Sequence, residues 1–160
     1  MSATHPNAQL VTRFYTALKA GDLDTMIGCY ADDIWFSDPV FPNLRGKEVG
    51  AMWRMLGAGK TTRRIDLMFS DVEGDDRGGR AHWEAIYEFI ETGRRVHNKI
   101  DATFEIRDGK IVRHQDRFDL WKWSAMALGA KGRLLGWLPP VQGAIRGKAA
   151  QGLAAFLAQH

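Results

Sequence analysis

The sequence predicts an α+β protein, in which a curved antiparallel or mixed sheet has one face covered by N-terminal helices. Apolar residues recur at helical spacing up to about residue 56 and alternate with polar residues from about residue 64 onward. The pair Asp108-Gly109 separates two alternating segments, which is typical of a β-hairpin turn. Helices followed by consecutive strands are the pattern of the α+β class, and 160 residues suit one domain.

The N-terminal part of the sequence predicts three helices. Residues 7–20 carry apolar side chains at helical spacing, and Gly21 is a natural end for this first helix. Asp22 has the residue type of an N-cap and predicts a second, short helix that runs to about Tyr30. Residues 46–56 form the third predicted helix, with one apolar face.

Alternation and the intervening turn residues predict the strands. Pro39 ends the first strand because proline cannot donate a ladder hydrogen bond, and residues 41–45 are predicted as a loop. The glycine- and aspartate-rich segment 74–79 separates the second strand from the third. The predicted strands are residues 34–38, 64–72, 80–91, 95–106 and 111–121.

The C-terminal segment departs from this pattern. It contains several glycines and the pair Pro139-Pro140, after which residues 141–157 predict an amphipathic helix. The segment is too short to form a core of its own. We therefore expect a main domain over residues 1–122, with residues 123–160 as a helical extension packed on it as a lid or brace.

Composition argues against several classes of function. The 22 basic and 19 acidic residues are scattered and sum to +3, unlike the clustered charge of a nucleic-acid-binding protein. The lone Cys29 excludes an intramolecular disulfide and a multi-cysteine metal site, and His82 and Glu84 lack a clear third ligand, so we expect no metal and no cofactor. No signal peptide is visible in residues 1–9 and no apolar run is long enough to span a bilayer, so a cytoplasmic protein is expected.

Several motifs, in order along the chain, resemble one superfamily. Residues 13–24 (RFYTALKAGDLD) and 30–39 (YADDIWFSDP) resemble the opening of ketosteroid isomerases. Residues 81–83 (AHW) and 104–112 (FEIRDGKIV) are similar to the wider nuclear transport factor 2-like superfamily, and residues 114–119 (HQDRFD) to its SnoaL-like branch. The resemblance implies a cone that is open at one end, with an internal pocket for a small hydrophobic molecule, and a homodimer formed through the outer sheet face.

Asp38 is the strongest catalytic candidate. It shares a strand face with Ile34 and Phe36 by the period of two, so we expect it to point inward among apolar side chains. Burial of that kind raises the pKa of a carboxyl group and suits it to accept a proton from a carbon acid. The resemblance to ketosteroid isomerases implies the same base role. The alternatives are that Asp38 caps the turn at Pro39 or pairs with a buried arginine.

An isomerase of this kind also needs an oxyanion hole. Alignment of the first helix places Phe14 where those isomerases have a tyrosine, with Tyr15 adjacent to it. Asp101 matches the second acid of the isomerases only in an ungapped alignment. The alternation of its strand instead places Asp101 on the face opposite the apolar side chains, with His97 and Glu105, which disfavours a catalytic role.

His114 and Asp116 offer a second pair of catalytic candidates. They alternate with Val112 and Phe118 on one face of the last strand, so an imidazole and a carboxylate would converge near Asp38. The resemblance to SnoaL-like cyclases implies an acid/base aspartate on this strand. The alternative is that His114 and Asp116 only pair with each other.

Other residues are predicted to line the pocket and to interact with the substrate. Asn98 lies on the apolar face of its strand and either orients a ligand carbonyl or satisfies a neighbouring backbone group. Trp121, Trp123 and Trp137 suit an apolar lid, a dimer contact or a peripheral membrane patch, and the lid is favoured because Arg146 and Lys148 alone make a thin basic face. The predicted substrate-binding residues are Phe14, Tyr15, Phe36, Trp53, Trp83, Tyr87 and Asn98.

Three functions are compatible with these residues. The favoured one is a cofactor-independent enzyme that transfers protons on a hydrophobic carbonyl compound, as isomerases, cyclases or dehydratases do. A non-catalytic carrier or interaction domain of the same fold is the alternative. An epoxide hydrolase needs an Asp-Arg-Asp arrangement, and the sequence predicts no inward arginine.

Overall fold

A six-stranded curved sheet with helices from both ends of the chain packed on it confirms the predicted α+β class. The computed structural model describes residues 3–59 and 61–160. The strands are β1 (Tyr30–Ser37), β2 (Leu44–Arg45), β3 (Thr62–Gly74), β4 (Gly78–Phe89), β5 (Arg94–Arg107) and β6 (Lys110–Arg117). The helices are α1 (Pro6–Ala20), α2 (Leu23–Gly28), α3 (Lys47–Gly57), α4 (Leu120–Leu128), α5 (Ala130–Leu135) and α6 (Pro139–Gln159).

The strand order is β2-β1-β6-β5-β4-β3. Neighbouring strands are antiparallel, except that β1 and β6 run parallel, so the sheet is mixed. In this parallel pair Phe36 lies beside His114. The strands that come first and last in the chain thereby lie side by side, and side chains from both ends of the domain meet on one face of the sheet.

The N-terminal helices fill the concave side of the sheet. The imidazole of His5 accepts a hydrogen bond from the backbone N–H of Asn7 at the start of α1, and Gly21 ends the helix with a φ of 75°, which glycine adopts without strain. Phe14 and Tyr15 are fully buried, and α1 packs on β3 and β4. The predicted cap Asp22 accepts a hydrogen bond from the N–H of Thr25 at 3.1 Å.

The strands differ most from the prediction at three places. β1 begins at Tyr30, four residues before the predicted start, and so includes a residue that we had placed in a helix. The predicted loop 41–45 contains the short strand β2. β6 ends at Arg117 because Asp119 accepts a hydrogen bond from the N–H of Lys122 at 3.1 Å and starts α4.

The alternation predicted for β6 is interrupted by an irregularity in register. Glu105 of β5 pairs with Arg113, whereas the next residue, Ile106, pairs with Ile111, so Val112 is the extra residue. Ile111 is consequently fully buried and Val112 is partly exposed. Val112 therefore does not share the inward face with His114, as the sequence had predicted.

The C-terminal segment forms three helices rather than one. α4 begins at Leu120, before the expected boundary at residues 122–123, and packs on β5. α6 begins at Pro139, packs on α3 and buries Leu153 in the main core. Its Arg146 Nε donates to the carbonyl of Pro39 at 2.8 Å, and Lys148 pairs with Glu91.

The division into a main domain and an extension remains a prediction.

Within residues 3–59 and 61–160, none of the helices has the length and apolar character needed to cross a bilayer.

Candidate active site

A buried polar network links β1, α3, β4 and β6. The Tyr30 hydroxyl lies 2.8 Å from His114 Nδ1, and His114 Nε2 lies 2.9 Å from Asp116 Oδ1. Two indoles complete the network: Trp53 Nε1 donates to the Tyr30 hydroxyl at 3.0 Å, and Trp83 Nε1 donates to Asp116 Oδ1 at 3.3 Å. His114 is 0% and Asp116 3% exposed, so both candidates point inward and pair with each other.

An indole N–H only donates and a carboxylate only accepts, which together favour one set of directions for these hydrogen bonds. With the Trp53 N–H at its oxygen, the Tyr30 hydroxyl donates its own hydrogen to His114 Nδ1. A neutral imidazole then carries its proton on Nε2 and donates it to Asp116 Oδ1. This assignment satisfies every group in the network except Asp116 Oδ2, which has no partner within residues 3–59 and 61–160.

Aromatic rings surround the imidazole of His114. The ring centroid of Phe104 lies 4.5 Å away, that of Phe36 5.0 Å and that of Phe14 5.5 Å. The indole of Trp53 stacks at 6.5 Å. Phe14 thus forms part of an apolar wall, and hydrogen bonds inside such a wall are stronger than in water.

Tyr15 brings an unsatisfied hydroxyl into this interior. Its ring packs edge-on against Phe14 at 5.0 Å and stacks on Phe69 at 5.6 Å. The side chain is fully buried, and its hydroxyl has no hydrogen-bond partner in the described part of the chain. Burial, with a smaller contribution from the nearby charge of Asp116, holds the pKa of Tyr15 well above its usual value. A buried hydroxyl of this kind is available to donate to a ligand.

Asp38 lies directly after β1, at the edge of the interior. It is partly buried, and its Oδ1 accepts hydrogen bonds from the backbone N–H groups of Val40 at 2.7 Å and Phe41 at 2.6 Å. Burial and the nearby charge of Asp116 raise the pKa of Asp38 to about 7, although the two backbone hydrogen bonds oppose this shift. Asp38 therefore caps the turn after Pro39 and also lies near Asp116, while its role as a catalytic base remains a prediction.

Tyr87 and Asn98 lie on the same side of the sheet as Asp38. The Tyr87 hydroxyl accepts a hydrogen bond from Trp123 Nε1 of α4 at 2.7 Å. Burial, with a smaller contribution from the charge of Asp38, raises the pKa of Tyr87 to about 12. Asn98 is 7% exposed, and none of the residues that the structure describes forms a hydrogen bond with its side-chain amide. The expected bond from Asn98 to a neighbouring backbone group is thus not formed.

Asp101 lies outside this group. It is exposed on the outer face of the sheet, as the alternation of its strand predicted, and its Oδ1 lies 2.9 Å from His82 Nδ1. Glu84 lies on the same face and bridges His82 and His97. The hydrogen bonds with Asp101 and Glu84 raise the pKa of His82. Asp101 thus has no contact with the interior network, and in the described part of the chain no three such side chains are arranged to hold a metal ion.

Two hollows of the structure are not lined by the hydrogen-bonded residues of the buried network. One, of about 760 Å³, is lined by residues 75–80 and 103–107. Another, of about 180 Å³, is lined by residues that include Thr103, Arg113 and Gln115. Neither is lined by Asp38 or His114, so the internal pocket remains a prediction.

Sequence reasoning missed Tyr30, which binds His114. Tyr30 lies an even number of residues before Ile34 and Phe36. An earlier predicted start of β1 would therefore have placed all three side chains on the inward face. Tyr30 was instead assigned to the preceding helix.

Comparison with known proteins supports the fold. A family model described as SnoaL-like domain matches residues 11–114. No curated protein matches the chain in sequence.

Several solved structures share the architecture. An epoxide hydrolase of the LEH-like type from M. tuberculosis is 20% identical, with a TM-score of 0.63, over 84% of this chain and 96% of that one. A protein from Xanthomonas campestris assigned as a polyketide cyclase is 21% identical, with a TM-score of 0.63, over 76% and 96% of the two chains. A protein from Bacillus subtilis assigned as an isomerase is 20% identical, with a TM-score of 0.59, over 81% and 96%. At these identities the likeness concerns the fold alone.

Proposed function

Because the chain belongs to the family of SnoaL-like domains, we propose that it binds a small hydrophobic molecule between the sheet and α1 and transfers protons on it without a cofactor. The reaction class is that of an isomerase, a cyclase or a related dehydratase. The observation that carries the proposal is the pair of neighbouring carboxylates, Asp38 and Asp116, at an interior lined by aromatic rings.

Asp38 is the proposed base. Its pKa of about 7 lets it exist as a carboxylate and still hold a proton after transfer. In the proposed step, Asp38 takes a proton from the carbon next to a carbonyl. The electron pair of that C–H bond forms a C=C bond, and the π pair of the C=O bond moves onto the oxygen. The protonated Asp38 then returns the proton to another carbon, so that no oxidant or reductant is consumed.

Tyr15 and Asn98 are the proposed donors to the carbonyl oxygen. Both are buried, and both have side-chain N–H or O–H groups without partners within the described ranges. A donor already aimed at the developing negative charge contributes more to rate than to ground-state binding. His114 and Asp116 would hold and relay a second proton.

The test uses Asp38→Asn, which keeps the acceptor for the Val40 and Phe41 N–H groups. We would incubate the protein in D2O with a panel of bicyclic and polycyclic ketones and measure deuterium incorporation next to the carbonyl by mass spectrometry. We expect the wild-type rate to rise with pH through about 7, as Asp38 loses its proton, and Asp38→Asn to lower it at least about a hundredfold.

Asp33→Asn is the matched control, because Asp33 is an exposed aspartate on β1, the strand that leads to Asp38. This variant should exchange deuterium at the wild-type rate. Full exchange in Asp38→Asn would eliminate the proposed base.

A non-catalytic carrier is the second candidate. Its support is that both ring nitrogens of His114 and one oxygen of Asp116 are already paired within the protein. A carrier would bind the ketones equally well as wild type and as Asp38→Asn, with no deuterium exchange in either. Epoxide hydrolysis is disfavoured because every arginine in the described ranges is exposed, apart from Arg146, which is partly exposed and donates to a backbone carbonyl.

We also propose that the protein is a cytoplasmic homodimer that pairs through the outer face of the sheet. Light scattering coupled to gel filtration measures the mass directly. A monomer at all accessible concentrations would contradict this part of the proposal.

A further inference from the structure

Exposed apolar side chains concentrate where α4 meets α5. Trp121 is 47% exposed, Leu134 68%, Leu135 41% and Trp137 54%. Elsewhere in the described part of the chain, Ile65, Met68 and Leu157 are the exposed large apolar residues, and none of them is Trp. We call the four residues Trp121, Leu134, Leu135 and Trp137 the α4–α5 corner.

Backbone contacts hold the α4–α5 corner in this arrangement. Trp121 Nε1 donates to the carbonyl of Arg133 at 2.9 Å, and Trp137 Nε1 donates to the carbonyl of Leu134 at 3.1 Å. Gly132 packs so closely against α4 that a Cβ atom there would lie 1.9 Å from the Ser124 carbonyl oxygen. The indole N–H groups are therefore satisfied internally, while large parts of both side chains remain exposed to water.

The segment that forms the corner is mostly positively charged, with Asp119 at the start of α4 as the adjacent carboxylate. Residues 120–160 contain five Lys and Arg residues and no Asp or Glu. Lys122, Lys131 and Arg133 are exposed and form no ion pair with any residue that the structure describes. By contrast, Arg63 and Arg80 on the sheet are paired with Glu88 and Glu73. The segment thus carries three cations in addition to Arg146 and Lys148, the only ones that the sequence had suggested for a basic face.

We propose that the α4–α5 corner binds the surface of an anionic lipid bilayer. Trp and Leu side chains suit the level of the lipid headgroups, and unpaired Lys and Arg beside them attract anionic headgroups. A second copy of the chain is a poor occupant of this face, because a symmetric contact there would bring the same cations together. The combination of exposed indoles and unpaired cations, in a segment without carboxylates between residues 120 and 160, selects the lipid surface.

Co-sedimentation with vesicles tests the proposal on the full chain. We expect strong binding to phosphatidylcholine vesicles that contain about 30 mol% phosphatidylserine, and weak binding to phosphatidylcholine alone. High salt should weaken the binding, and the tryptophan emission should shift to shorter wavelength when the anionic vesicles are added.

Two double variants separate the contributions. Leu134→Ser with Trp137→Ser, and Lys131→Gln with Arg133→Gln, should each lower the partition coefficient at least about tenfold. The matched control is Ile65→Ser with Met68→Ser on β3, which removes comparably exposed apolar side chains from another surface and should leave binding unchanged. Circular dichroism checks that all variants keep the fold.

Several results would overturn the proposal. They are absence of wild-type binding to the anionic vesicles at low salt, and binding that survives in both corner variants. The proposal would also be wrong if the wild-type protein did not bind vesicles and formed a dimer that became a monomer in Leu134→Ser with Trp137→Ser. The corner would then be a contact between two copies of the chain.

Discussion

Two tyrosine hydroxyls in one interior have opposite surroundings. The Tyr30 hydroxyl lies between the Trp53 indole and His114, whereas the Tyr15 hydroxyl has no partner in the described part of the chain. Tyr30→Phe leaves two buried polar atoms unpaired and should lower the free energy of unfolding by about 2 kcal/mol. Tyr15→Phe removes an unsatisfied hydroxyl and should raise that free energy by about 1 kcal/mol.

Urea unfolding of the ligand-free protein measures both changes, and each variant serves as the control for the other because the same atom is removed. Equal destabilisation by the two substitutions would contradict this description of the interior. Ketone binding should weaken in Tyr15→Phe if its hydroxyl donates to the ligand.

Asp38 should make stability depend on pH. Its pKa is about 7 in the folded protein, against about 3.9 in an unfolded chain. Between these values the folded state holds the extra proton, so the free energy of unfolding falls as the pH rises from about 4 to about 7 and is then level. Asp38→Asn should therefore stabilise the protein by about 2 kcal/mol at pH 8, after allowance for partial exposure, and have little effect at pH 4.

Chemical denaturation of wild type and Asp38→Asn at the two pH values checks this expectation, with Asp33→Asn as the exposed control. A difference between wild type and Asp38→Asn that is the same at both pH values would mean that the Asp38 carboxyl group is not desolvated in the folded protein.

At the residue scale, alternation predicted the inward faces of His114, Asp116 and Asn98 correctly, because a period of two leaves a side chain only two directions. It failed at Val112, where an extra residue in the strand shifts the register. An irregularity of this kind depends on how two strands twist against each other, which no local pattern in β6 records.

Among the elements, the junction of α4 and α5 depends on the close approach of Gly132. A Cβ atom on Gly132 would lie 1.9 Å from the carbonyl oxygen of Ser124, whereas one on Gly147 of α6 would meet nothing within 4 Å. Gly132→Ala should cost at least about 2 kcal/mol of stability because backbone must move. Gly147→Ala should add about 0.5 to 1 kcal/mol, since alanine loses less conformational freedom in a helix.

Thermal unfolding of the two variants shows whether each substitution lowers or raises the stability. The prediction fails if Gly132→Ala melts at the wild-type temperature, since the close contact between the helices would then be absent in solution.

At the scale of helices and strands, the segments with strong local sequence patterns were predicted best. The first helix and the Asp108-Gly109 hairpin were found because each ends or turns at a glycine, which adopts a positive φ without strain. The end of β6 was placed four residues late because Phe118 and Leu120 continue the alternation of the strand. The cap at Asp119 overrides that alternation, and α4 begins there.

Across the whole molecule, stability should be uneven. β4 and β5 pair over nearly their full lengths in the interior of the sheet, whereas α6 contributes a single buried side chain, Leu153. Hydrogen exchange followed by mass spectrometry should show peptides of β4 and β5 exchanging at least about a hundredfold more slowly than peptides of α6. Equal protection of α6 and the central strands would show that the helix opens only when the whole protein unfolds.

The parallel pairing of β1 with β6 also has a consequence for biosynthesis. Tyr30 and His114 are separated by 84 residues in the chain, yet they touch in the finished protein. A ribosome therefore releases the aromatic residues of α1 and β1 long before the strand that encloses them exists. During that interval the nascent polypeptide exposes apolar side chains that the folded protein buries. Chaperones recognise exposed apolar surface of this kind.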